Sequence, residues 1–62
     1  MNSEMLRHLR RSRSQRQVAK DLDVNKSALA MYERGERTPR DEVKIRIAAY
    51  YGKTVQELFF DQ

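Results

Sequence analysis

Apolar side chains recur along this 62-residue chain at helical spacing, in short runs separated by polar breaks. Met5, Leu6 and Leu9 share one face of a first segment, about Ser3 to Arg11, whose other positions are mostly basic. Val18, Ala19 and Leu22 stand at i, i+1 and i+4 and predict a second helix from Gln15 to about Leu22. Leu29 and Tyr32, with Ala28 beside them, form the inward stripe of a third helix that ends near Arg34. Ile47, Ala48 and Tyr51 do the same for a fourth, from about Asp41 to Tyr51, with Val43 or Lys44 contributing above. Val55, Leu58 and Phe59 supply the apolar side of a last turn or two through Phe60. β-Branched residues are few and strict alternation is absent, so no strand is predicted.

The breaks carry their own chemistry. Ser14 is placed to accept from the Gln17 N–H, with the Gln17 side chain reaching back, as a capping box. Asn25 is the next N-cap, and Thr54 with Glu57 forms a second capping box. Gly35 and Gly52, the only glycines, stand where a helix ends in a left-handed residue. Pro39, the only proline, pushes Thr38 out of helical conformation, so Glu36 to Pro39 reads as an extended loop. Asp41 and Glu42 suit the positive end of the fourth helix. The expectation is an all-α fold, a compact bundle of about five short helices in one domain, 1–62.

Composition narrows the function classes. A chain of this length buries only about 60% of its unfolded surface, so stability must come from tight packing, a partner subunit, or both. There is no cysteine, hence no disulfide and no thiolate metal site. No apolar run is long enough to span a bilayer and no signal segment opens the chain, so a soluble, cytoplasmic protein is expected. One histidine (His8, read as solvated), no glycine-rich phosphate loop and no clustered carboxylates argue against an enzyme, a cofactor or a metal site. The net charge is +4, and it is uneven. Ten Lys/Arg face five Asp/Glu in residues 1–40, against three and four in residues 41–62. A basic first two-thirds points to a polyanionic partner.

With these elements in place, Gln15 to Arg34 resembles the helix-turn-helix of the Cro/C1-type, Xre-like phage repressors. Gln15 opens the first helix of the pair, and Ala19 is the small residue where the two helices cross. Val18, Leu22, Val24, Leu29 and Tyr32 match the family's buried positions. Glu33-Arg34-Gly35 before Pro39, and the later run from Ile47-Ala48 to Leu58, extend the similarity over about residues 14–60. Two departures stand out. Asp23 replaces the usual turn glycine, and Asp tolerates the left-handed conformation better than most side chains. Ser12 and Arg13 stand where the family has a glycine and an apolar residue, and the junction is shorter by about two residues, which bears on how deeply Met5, Leu6 and Leu9 are buried.

The resemblance implies a lambda-repressor-like DNA-binding domain with its helix-turn-helix at 15–34. The third helix would lie in the major groove. Lys26, Ser27, Ala30 and Met31 would meet base edges, Lys26 through guanine or phosphate and Ala30 and Met31 through thymine methyls. Gln15, Arg16, Asn25, Arg34, Arg37 and Arg40 would contact phosphates. Val55, Leu58, Phe59 and Phe60 would form a homodimer interface, with Phe60 the exposed member of the adjacent pair. The expected partner is double-stranded DNA carrying a short inverted repeat, bound by a repressor that acts by occupancy with no small-molecule effector. Plainer readings stand beside these: Lys26 and Arg16 as solvated surface, Arg34 paired with a nearby glutamate, Met31 in the core, Phe60 folded back. A restriction-system controller protein, or an antitoxin or anti-repressor module, would share the fold.

Overall fold

Three polar side chains open the first three helices. In the computed structural model, which describes residues 2–60, Asn2 Oδ1 accepts from the Met5 N–H at 3.1 Å and starts α1 (Ser3–Arg10). Ser14 Oγ accepts from the Gln17 N–H at 3.0 Å and starts α2 (Gln15–Leu22). Asn25 Oδ1 accepts from the Ala28 N–H at 2.8 Å and starts α3 (Lys26–Arg34). α4 (Asp41–Tyr51) has no side-chain cap and relies on Asp41 and Glu42 against its positive end. A single π-type turn, Gln56–Phe60, closes the described chain. All of these elements are helical, as the apolar spacing predicts.

The two capping boxes differ. Thr54 and Glu57 exchange both bonds, at 2.9 and 3.0 Å. Gln17 does not reach back to Ser14; its amide donates instead to Asp21 Oδ1 at 2.8 Å, one helical turn on. The Asp21 carboxylate is a charged acceptor for that amide N–H, and the bond orients the side chain along the helix rather than back toward the cap.

The expected inward stripes meet in one core. Leu6, Val18, Leu29, Ile47 and Leu58 are each at most 2% exposed and come from all five elements. Ala19, 3% exposed, is among the buried residues where α2 and α3 pack. Met5, Leu9, Val24, Tyr51 and Val55 are only half-buried around this core. Between the alternatives above the fourth stripe, Val43 is buried, whereas the Lys44 ammonium lies over the Phe59 and Phe60 rings at 5.8 and 4.8 Å. α1 packs on α3 and on the π turn, and the Asn2 N–H donates to the Leu58 carbonyl at 2.9 Å.

The short junction between α1 and α2 is closed by a tight turn. α1 ends at Arg10 rather than Arg11, because Arg11 adopts φ 57° and ψ −129°. The Arg13 N–H then donates to the Arg10 carbonyl at 3.2 Å. This is type II′ geometry, which places φ > 0 at the residue where glycine is normally required. Arg13 fills the place an apolar residue takes in the resembled family. Its guanidinium sits 5.1 Å from the Tyr50 ring centroid and 5.7 Å from that of Tyr51. It also donates to the Leu9 carbonyl at 3.2 Å and to the Tyr50 hydroxyl at 3.0 Å. Tyr50 in turn donates to Asp21 Oδ2 at 2.7 Å, fastening α4 to α2. These bonds hold the Asp21 carboxyl below its ordinary pKa, with Tyr50 the main cause.

Arg11→Gly is therefore expected to stabilise the fold. Strain of about 1–3 kcal/mol is relieved, against about 0.5–1 kcal/mol of extra chain entropy, for a net gain near 1 kcal/mol. In a domain this small that is a rise in Tm of about 4–8 °C, read by circular dichroism. An unchanged or lower Tm would show that the turn carries no strain.

Candidate nucleic-acid interface

α3 divides its residues between two faces. Ala28, Leu29, Tyr32 and Glu33 are buried, while Lys26, Ser27 and Arg34 are exposed and Ala30 and Met31 are half-buried at the outer side. The outward five, joined by Gln15 from α2, line a single surface depression of about 380 Å³. All four residues expected at base edges are thus brought together. Met31, which on a helix could equally have been core, is on this surface.

The helix pair is set by the turn between α2 and α3. Asp23 takes φ 59° and ψ 45°, the left-handed conformation expected of it. The Val24 N–H donates back to the Ala19 carbonyl at 3.0 Å, reversing the chain so that Asn25 can cap α3 at once.

A buried carboxylate fixes the rest. Glu33 is 1% exposed. Arg10 Nε donates to its Oε2 at 2.8 Å, and Gln15 Nε2 donates to its Oε1 at 2.9 Å. Arg7 donates to its main-chain carbonyl. One side chain at the end of α3 therefore holds α1 and the first residue of α2, with both carboxylate oxygens satisfied. Its charge also reaches the Tyr51 hydroxyl, whose pKa is pushed up to about 12, chiefly by burial and then by Glu33. Glu33 carries no functional role in the sequence reading. Its spacing of four from Leu29 on the inward stripe was the available signal.

The phosphate set separates in space. Gln15 and Arg34 border the α3 depression. Asn25, Arg37 and Arg40, joined by Arg46, line a neighbouring cleft of about 320 Å³ between the helix-turn-helix turn and the start of α4. Arg16 is exposed on α2 and lines neither. Arg34 has a partner, as its plainer reading anticipated. Its Nε and Nη2 donate to the two Glu36 carboxylate oxygens at 2.9 and 3.0 Å. The hydrogen bonds raise the Arg34 pKa and hold the Glu36 carboxyl below its usual range.

The expected dimer surface needs correction. Leu58 and Phe59 are 0% and 5% exposed, so their side chains are consumed by the chain's own core. Phe60 is exposed at 54%, and Ile45, which the sequence reading passed over, at 61%. These two and the half-buried Val55 border one apolar depression with Asp41 and Lys44 on its edge. Ile45 lies two residues before the Ile47 stripe, and its position off that stripe was the clue to its exposure. No described helix is long and apolar enough to cross a membrane.

Comparison with known proteins agrees with this architecture. The profile of the helix-turn-helix family matches residues 6–58. A transcriptional repressor of a cryptic phage, RstR of CTXphi in Vibrio cholerae, is 35% identical over 63 residues. The match covers 98% of this chain and 57% of that protein, so the chain spans little more than half the length of the relative. No solved structure gives a significant match.

Proposed function

Because the chain belongs to the helix-turn-helix family of Xre and Cro/C1 type, we propose that it binds double-stranded DNA through α3 and regulates transcription as a repressor. One observation carries this reading. Lys26, Ser27, Ala30, Met31 and Arg34 face outward together, on the side of α3 that takes no part in the core. With Gln15 they offer donors, a hydroxyl and two apolar contacts, a set suited to base edges and phosphates. The Asn25, Arg37 and Arg40 cleft beside it suits the flanking backbone. Gln15 contributes its main-chain N–H at the start of α2, since its amide is engaged by Glu33.

A single such face reads few base pairs, so the protein acts as a homodimer on an inverted repeat, with recognition helices about 34 Å apart. The Ile45, Val55 and Phe60 patch supports this. Its edge carries Asp41 and Lys44, which lie 3.7 Å apart in the same chain, so the rim is charge-neutral and sets no repulsion against a second copy across a two-fold axis. Repression follows from occupancy of the operator in the cytoplasm.

Selection of bound duplexes from a random pool at two salt concentrations tests the proposal. An inverted repeat with half-sites one helical turn apart is expected. Lys26→Ala and Arg37→Ala should each weaken binding, and for every phosphate no longer neutralised the log–log salt dependence should flatten by about 0.9. Unchanged affinity and slope in both variants would remove the proposed DNA face.

A further inference from the structure

Arg34 presents a planar fork, and its Nε–Nη2 edge is already filled. Both of its bonds go to Glu36, two residues on, at 2.9 and 3.0 Å. The turn that makes this possible is specific. Gly35 adopts φ 74°, and a Cβ there would sit 3.2 Å from Ser3 Oγ, so another residue would be strained and would crowd Ser3. The Glu36 N–H donates to the Met31 carbonyl at 2.9 Å, which fixes where its side chain emerges.

Stability does not account for the pair. The Arg34 and Glu36 side chains are 55% and 56% exposed, and an ion pair so open to solvent contributes little to folding. Its geometry matters more. A carboxylate and a phosphate offer the guanidinium the same two-oxygen edge, so they compete for one fork. Arg34 borders the depression that holds Lys26, Ser27, Ala30 and Met31, where a duplex would approach.

We propose that Glu36 is an internal competitor of DNA phosphate for Arg34 and sets how strongly the backbone is held. This rests on the DNA-binding reading above. A phosphate takes the Nε–Nη2 edge of Arg34 only by displacing Glu36, so holding the backbone there forfeits both bonds of the pair. The phosphate contribution, which is blind to sequence, is reduced. A larger share of the total affinity is left to the base-edge residues. Glu36 thereby sets backbone affinity without touching a base.

The test measures binding of a mixed-sequence duplex across a salt series by the unaltered chain, Glu36→Gln, Arg34→Ala and the double variant. Glu36→Gln is expected to bind about fivefold tighter at low salt, the scale of one unit-charge contact in water. Its salt slope should steepen by up to about 0.9, one further phosphate engaged. In the Arg34→Ala background the same substitution should change affinity much less. Equal tightening in both backgrounds would mean plain removal of a negative charge and would overturn the proposal, as would no change on Glu36→Gln. If neither the unaltered chain nor any variant binds duplex at low salt, the DNA-binding reading fails and this proposal falls with it.

Discussion

Replacing Glu33 with alanine is expected to remove about 3 kcal/mol or more of folding stability, within the 3–5 kcal/mol range for breaking a buried ion pair. The carboxylate is 1% exposed, so its bonds to Arg10 and Gln15 are made away from water. Alanine leaves a cavity and strands two donors. The Arg10 side chain is 20% exposed and can partly rehydrate, which places the loss toward the lower end of the range. At roughly 0.05–0.15 kcal/mol per residue, a chain of this length holds only about 3–9 kcal/mol in total. The variant should thus lose about a third or more of its stability. Glu33→Gln keeps one acceptor for Gln15 and should fall between. Urea denaturation followed by circular dichroism measures both, and a loss below about 0.5 kcal/mol for alanine, the scale of an ordinary surface substitution, would contradict the role given to Glu33.

Leu58→Ala carries the second large effect, about 2–5 kcal/mol, as for other fully buried leucines. Leu58 is 0% exposed, and its carbonyl ties the π turn to Asn2. The loss should be the same at low and high protein concentration, because the side chain serves its own subunit. Phe60→Asp should behave in the opposite way. As an exposed residue it should change monomer stability by no more than about 0.5 kcal/mol, yet abolish self-association through the Ile45 patch. Sedimentation beside denaturation at two concentrations separates the two. A dimer that survives Phe60→Asp but is absent in a still-folded Leu58→Ala would reverse the assignment of surface and core.

Most of the fold was legible because its signals are local. The N-caps Ser14 and Asn25, the left-handed stops at Asp23, Gly35 and Gly52, and the apolar stripes all act within one or two helical turns. The outward set on α3 was legible for the same reason, being what remains once Ala28, Leu29 and Tyr32 turn inward. What the sequence hid depends on contacts between distant residues. The spacing of Glu33 puts it on the inward face, but its partners Arg10 and Gln15 stand 23 and 18 positions away and meet it only once α1 and α2 pack. Arg13 looks like part of a basic surface until Tyr50, 37 positions on, receives it. Leu58 and Phe59 were misread as interface because the same apolar residues would serve a partner or the chain's own core. Only the arrival of α1 against the π turn decides between them.

The bond from the Asn2 N–H to the Leu58 carbonyl has a consequence for observation in solution. The amide of a helix N-cap has no acceptor within its own helix and ordinarily exchanges with solvent quickly. This one is shielded only while the π turn stays docked on α1. Its exchange rate is a single-site clock for opening of the element that carries Phe60, and it can be followed without perturbing α3.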